Sequence, residues 1–258
     1  MERMNVLSNR QDGVQLLLTL SGREEFNEKI NEYLHDDKMD VLHFVSGKML
    51  VEAAANPNYA AILSEDCELL PGENSLFSKE LLRGIRDSYI IDYRALKSLL
   101  IEKRSGIHSV YLVGDNKKKM HSFMECLNFR NPDLSFAGAY FVDPSVSEEM
   151  KLSDELIVNE INGADTDIVI VMMEIPRQAV WMKENRTIVH SKMCMGIGAV
   201  VDQFVKRYRK APRFFELFHL EKLYHQIVCH EKITQGFRRR ILWKRLGNAK
   251  GKENDNKA

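Results

Sequence analysis

The sequence predicts an α/β protein: a Rossmann-like, mostly parallel sheet with helices on both faces, followed by a basic helical appendage at the carboxyl end. Three observations lead there. Short apolar runs such as "DVLHFVSG", "HSVYLVGD" and "DIVIVMM" alternate with longer stretches whose apolar residues recur at helical spacing. Strands that alternate with helices of this length form parallel βαβ units, because parallel neighbours need a long crossover. The segments that follow the strands, "SGK", "PGENS", "VGDNK", "MEIPRQ" and "GIGAVVD", are glycine-, proline- and polar-rich, and this is the edge at which a parallel sheet binds ligands.

Taken in order, "DGVQLLLTL" supplies a first strand from Val14 to Leu20. "SGREEFNEKINEYLHDD" is helical, with Phe26, Ile30, Tyr33 and Leu34 on one face and Ser21 as its cap. "DVLHFVSG" is a strand running into a glycine turn. "KMLVEAAANPNYAAILSED" divides into two helices at Asn56-Pro57, since proline disfavours helix in the residue before it. The short strand "CELLP" follows. The pattern then repeats as helix "DYRALKSLLIEKRSG", strand "HSVYLVGD", helix "KKKMHSFMECLNFRNP", strand "LSFAGAYF", helix "SEEMKLSDELIVNEINGAD", strand "DIVIVMM", helix "PRQAVWMKENR" and strand "IVHSKMCMGIG". The expected division is a body over 1–213, a helical membrane-proximal appendage over 214–247, and a polar, disordered tail over 248–258.

Composition narrows the function classes. The 258 residues are 44% hydrophobic and 29% charged, the balance of a soluble globular protein. No apolar run is long enough to span a bilayer and "MERMNVLSNRQ" lacks the core of a secretory signal, so a cytoplasmic location is expected. Cys67, Cys126, Cys194 and Cys229 form no CxxC pair, and the eight histidines show no HExxH spacing; neither a metal nor a disulfide framework is expected. P-loop and nucleophile-elbow patterns are absent.

The net charge of zero conceals an asymmetry. From Val205 onward there are 15 Lys and Arg against 5 Asp and Glu, while residues 1–204 carry 22 against 32. A tail so biased meets the acidic body, nucleic acid or an anionic membrane surface. The tail mixes Phe214, Phe215, Phe218, Leu242 and Trp243 with Arg238, Arg239, Arg240, Lys244 and Arg245, the make-up of an amphipathic helix lying in a membrane interface. No nucleic-acid-reading motif accompanies it, and nucleic acid is not an expected partner.

Read together, the loops resemble the WecG/TagA/CpsF family of bacterial glycosyltransferases. The likeness is most specific in "GADTDIVIVMMEIPRQAVWMKENR", "GIGAVVDQF" and "RKAPRFFELFHLEKLYH", and extends upstream through "VYLVGDNKKKM", "ELLPGENS" and "VSGKMLVEAAANPNYAAIL". It implies transfer of a sugar, N-acetylmannosamine-like or another hexose, from a UDP-sugar donor to a polyprenyl-pyrophosphate-linked acceptor. The work is done at the inner face of the cell membrane, for envelope or exported polysaccharide, with no cofactor and no required metal. A catalytically silent relative that binds nucleotide sugar or acts as a scaffold is the alternative. A homo-oligomer is compatible with either.

The resemblance also assigns residues, with departures. Where the family carries Leu-Pro-Asp-Gly, with the aspartate as its proposed base, this chain reads Leu70-Pro71-Gly72-Glu73. Glu73 is the candidate catalytic base if Gly72 acts as a hinge; Glu73 as a solvated turn residue, or Asp66 in its place, are the alternatives. Ser46 stands at the family's asparagine, Glu174 at the glycine opening its Gly-x-Pro-x-Gln loop, and Arg86 at an expected arginine; Asn74 follows Glu73. Gln178 can bond a sugar or diphosphate, or simply the start of its helix. Gly196 and Gly198 either present backbone N–H groups to a phosphate or make a tight turn. Asp202 meets a sugar hydroxyl or pairs with the nearby basic run, Gly114 and Asn116 contact the nucleotide, and Arg238, Arg239 and Arg240 approach the acceptor's pyrophosphate.

Overall fold

The structure is a computed structural model, and it describes residues 2–8, 15–36, 38–65, 67–77, 88–102, 106–143, 152–209, 241–242 and 244–245. Eight strands and eight longer helices are described: β1 (Glu2–Ser8), β2 (Gln15–Leu20), α1 (Arg23–Tyr33), β3 (Asp40–Val45), α2 (Gly47–Ala55), α3 (Pro57–Ser64), β4 (Glu68–Pro71), α4 (Tyr93–Leu100), β5 (Ser109–Gly114), α5 (Lys117–Arg130), β6 (Ser135–Phe141), α6 (Leu152–Ala164), β7 (Ile168–Met172), α7 (Arg177–Asn185), β8 (Met193–Gly196) and α8 (Val201–Tyr208). A short 3-10 turn, Asn74–Leu76, follows β4.

Six strands form one parallel sheet in the order β4-β3-β8-β7-β5-β6. From β3 the chain crosses outward to β4, and from β5 it crosses outward to β6 at the other edge; β7 and β8 then fill the middle. Such a reversal of winding leaves a crevice above the carboxyl ends of the central strands.

Both faces of the sheet are covered, which is why its strands read as near-continuous apolar runs. Along β7 the side chains alternate: Ile168, Ile170 and Met172 face one core with α1, α4, α5 and α8, whereas Val169 and Val171 face another with α6 and α7. A third cluster joins α2, α3 and the β1–β2 hairpin, with Leu16, Leu18, Met49, Tyr59 and Leu63 buried together. Leu242, near the carboxyl end, belongs to this cluster at 6% exposure.

Local chemistry explains most boundaries. Asn56 ends α2 and caps α3, its side-chain oxygen accepting from the Tyr59 N–H at 3.2 Å with Pro57 at the first helical position. The break expected there is present. Three expectations are corrected. Ser21 is not the cap of α1: Gly22 occupies that place without a side-chain bond, and the Ser21 hydroxyl is buried without a partner. β8 is confined to Met193–Gly196, because His190 and Ser191 bond instead to Asn162 and the Asp167 carbonyl. The amino-terminal residues form a strand, β1, paired antiparallel with β2, where none was anticipated. The appendage over 214–247, apart from four residues, and the tail over 248–258 lie outside the described residues.

Candidate active site

The carboxyl ends of β3, β5, β7 and β8 release their chains toward one cleft of about 290 Å³, and each chain re-enters the fold as a helix. The cleft is therefore edged by the first turns of four helices: Ser46 and Lys48 at α2, Asn116 and Lys119 at α5, Gln178 at α7, and Asp202 at α8. Each helix presents the positive end of its dipole at this edge. Glu73, half-buried, enters from the turn after β4.

The expected site residues that fall among the described residues each have a definite place. Ser46, Glu73, Asn116, Gln178, Gly198 and Asp202 share the cleft. Gly114 and Gly196 close their strands just behind it, and Asn74 is buried at 5% exposure with its side-chain oxygen lacking a hydrogen-bond partner. Arg86, Arg238, Arg239 and Arg240, and the alternative acid Asp66, lie outside the described residues.

Several of these residues also hold the site together. The Ser46 hydroxyl accepts from the Met49 N–H at 3.2 Å and the Asn116 side chain accepts from the Lys119 N–H at 3.0 Å, so both are N-caps. Gln178 is 2% exposed, and its Oε1 accepts the Gly198 N–H at 3.1 Å. The amide lies directly over Gly196, where any Cβ would collide with Nε2, and a Cβ on Gly198 would stand 2.9 Å from Oε1. The Ile197 N–H donates to the Val171 carbonyl at 3.0 Å. Thus the N–H groups of Ile197 and Gly198 are engaged inside the protein, and the two glycines seat the Gln178 amide.

Gly72 is not a hinge. Its N–H donates to the Val45 carbonyl at 2.9 Å, and an added Cβ would lie 2.8 Å from that carbonyl oxygen and 3.0 Å from the Ala199 Cβ. The close crossing over β3 demands glycine and fixes the direction in which Glu73 leaves it. A side chain at position 72 has no room, whereas Glu73 has the cleft.

Charge across the cleft is organised in pairs. Lys48 bonds Glu174 at 2.8 Å and Lys119 bonds Asp202 at 3.2 Å. The Lys48 ammonium, with Lys119 adding to it, holds the Glu174 carboxyl below the usual range. The Glu174 N–H donates to Asp115 at 2.6 Å, which ties the β7–α7 turn to the end of β5. Lys206 lines the same wall. Sequence reasoning missed Lys48, Lys119 and Lys206, since a lysine in a polar stretch looks like solvated surface; their position in or near the helices that open on the ligand edge was the available signal. Among the described residues no group of three or more His, Cys, Asp or Glu side chains is placed to hold a metal ion.

The model of the glycosyl transferase WecG/TagA/CpsF family matches residues 14–230. The chain belongs to this family. Among its relatives is an N-acetylglucosaminyldiphosphoundecaprenol N-acetyl-beta-D-mannosaminyltransferase of Bacillus spizizenii strain W23, 26% identical over 193 residues that cover 74% of this chain and 72% of that protein. A protein of the same name from Staphylococcus aureus strain MRSA252 is 28% identical over 142 residues, 55% of this chain and 48% of its own length. Its counterpart from strain NCTC 8325 is 27% identical over the same number of residues. The aligned region thus spans about half the length of the S. aureus relatives. The match to the WecG/TagA/CpsF family includes every strand of the six-stranded sheet and every turn that edges the cleft.

Proposed function

We propose that the chain transfers a sugar from a UDP-sugar donor to a polyprenyl-pyrophosphate-linked saccharide in cell-envelope or exopolysaccharide synthesis, as a peripheral protein of the cytoplasmic membrane face. The names of the relatives support an acceptor of the diphosphoundecaprenol kind and a transferred N-acetylmannosamine or a close hexose. The observation that carries the reading is the convergence of four helix starts, three lysines and Glu73 on one cleft at the ligand edge of a parallel sheet.

In this proposal the donor's diphosphate lies against the helix starts. Lys48, Lys119 and Lys206 offset the charge that builds as the sugar leaves. Gln178, with its oxygen fixed on Gly198, shapes the floor. Glu73 accepts the proton of the acceptor hydroxyl as it attacks the anomeric carbon from the face opposite the leaving group, which inverts the configuration. No metal is required by this scheme, because ammonium groups and helix dipoles stand where a cation would. Arg238, Arg239 and Arg240 meet the acceptor's pyrophosphate, and the basic tail holds the chain to anionic lipid.

The test has two arms. UDP and UDP-N-acetylmannosamine should raise the melting temperature in a concentration-dependent way, since a ligand that binds only the folded state stabilises it. Glu73→Gln should retain that shift while turnover on a polyprenyl-diphosphate-linked N-acetylglucosamine falls at least a hundredfold. Absence of a shift with any UDP-sugar would sink the donor assignment. Full turnover in Glu73→Gln would remove Glu73 as the base, and binding without turnover in the unaltered chain would favour the silent relative.

A further inference from the structure

β3 pairs with β8 so that His43 stands beside Gly196, and Gln178, in the first turn of α7, lies over the same glycine. A Cβ placed on Gly196 would be 2.4 Å from the Gln178 Nε2 and 2.9 Å from the His43 Nδ1. The two nitrogens therefore converge on one bare Cα, at the floor of the cleft that Gln178 lines. Side chains alternate along a strand, so His43 shares with Val41 the face of the sheet that α7 covers, while Leu42 and Phe44 fill the opposite core.

His43 is the unexpected element. It is 2% exposed, its Nδ1 has no hydrogen-bond partner, and burial pushes its imidazole down to about 4, which leaves it neutral near pH 7. A neutral imidazole keeps one donor nitrogen and one acceptor nitrogen. The ring also lines a hollow of about 470 Å³ walled by α3 and α7, but Nδ1 is turned inward against Gly196, and of the two ring nitrogens it alone is buried without a partner. In native proteins such an atom generally marks a partner to be found. A carboxamide supplies one: it has an acceptor oxygen and two N–H donors. The Gln178 Oε1 accepts the Gly198 N–H at 3.1 Å, and the reversed amide would set donor against donor there. Nε2 is thereby held on the Gly196 side, next to the His43 Nδ1.

We infer that His43 is a positioning residue for the cleft: its Nδ1 takes one N–H of the Gln178 amide and so aims the other at a bound ligand. The two nitrogens are close but not bonded to each other in the structure as it stands, and the contact closes as a ligand draws the amide into line. The group read at this floor is then a hydrogen-bond acceptor, an oxygen of the sugar, its N-acetyl group or the diphosphate. The inference rests on the transferase reading for the identity of that ligand, a UDP-sugar, and on the geometry around Gly196 for the rest.

The test uses the full chain with nitrogen-15 in its histidine rings and glutamine amides, the His43 and Gln178 signals being assigned by their loss in His43→Leu and Gln178→Leu. The unaltered ring should carry its proton on Nε2 and leave Nδ1 bare. Adding UDP-N-acetylmannosamine should move the Nδ1 and Gln178 amide signals together along one saturation curve. In calorimetry His43→Leu should weaken that ligand about fivefold, the size of one lost hydrogen bond. His43→Asn, whose Oδ1 can stand where Nδ1 stands, should recover most of the loss, a rescue that a merely structural role would not give. In the Gln178→Leu chain, His43→Leu should add nothing, because the two residues act as one unit. Melting temperatures show that each variant folds. The tautomer is read without ligand, so a failed donor assignment appears as no binding by the unaltered chain, and a failed inference as a proton on Nδ1. An equal loss from His43→Leu with and without Gln178, or no recovery in His43→Asn, would also overturn it.

Discussion

Buried His43 makes a definite statement about acid stability. Its imidazole is pushed from an ordinary 6.5 to about 4 by burial alone. As pH falls through 6.5 the unfolded chain takes up a proton that the folded chain refuses until about 4, so the unfolded state binds more protons in that window. The stability associated with neutral His43 is therefore fully present above pH 6.5 and is lost progressively toward pH 4. At roughly 1.4 kcal/mol for each tenfold change, the loss amounts to about 3 kcal/mol. Asp40 acts in the opposite sense. Burial, with Asp36 beside it, raises its carboxyl from 3.8 to about 6, so its contribution is present at low pH and is lost as pH rises through the same range. The unaltered chain alone should show a flattened profile. The informative measurement is the difference in unfolding free energy between the unaltered chain and His43→Gln, from urea titrations followed by tryptophan fluorescence at pH 7, 6, 5 and 4. Asp40 cancels in that difference, and any packing change adds only a constant offset. Relative to His43→Gln, the unaltered chain should lose about 3 kcal/mol between pH 7 and pH 4. A difference that stays constant with pH would refute a buried neutral imidazole.

Four further substitutions follow, three around the cleft and one, in α6, as a comparison. Gly72→Ala should destabilise by about 1–3 kcal/mol, since its Cβ meets the Val45 carbonyl; Gly163→Ala, in α6 with open space around it, should gain about 0.5 kcal/mol in the same urea assay. Gln178→Leu removes the acceptor of the Gly198 N–H and should cost about 1–3 kcal/mol, read as a lower urea midpoint with unchanged slope. Lys48→Met should change stability by less than about 1 kcal/mol, because both members of its pair with Glu174 are exposed, while UDP binding weakens and becomes less sensitive to salt.

Much of the fold was legible because each parallel strand, buried on both faces, writes itself as an apolar run. "DIVIVMM" is the clearest instance, with Ile168–Met172 wholly buried. The Asn56-Pro57 boundary was legible because proline geometry and an asparagine cap are local chemistry. β1 was not: a strand in a hairpin owes its existence to its partner, and its sequence includes Arg3 and Asn5, both exposed. Ser21 failed as a cap because the helix begins one residue later, a boundary set by packing. The site was legible as a set of turns, since topology dictates which strand ends face the ligand edge. Roles within those turns were not legible. The Gly196–Gly198 pair has the look of a phosphate loop in sequence, and only the three-dimensional neighbour, Gln178, gives the glycines another purpose. His43 carried no signal at all, because a histidine in a strand is read as core until its missing partner is seen.

The seating of the Gln178 carboxamide on two glycines has a genealogical consequence. Positions 178, 196 and 198 cannot drift singly: a methyl group at 196 expels the amide, and a shorter residue at 178 leaves an uncapped turn. Kindred sequences that keep glutamine should therefore keep both glycines, and any lineage that has lost one should show a compact, non-amide residue at 178. Substitutions at these three sites should enter and leave the ancestry together.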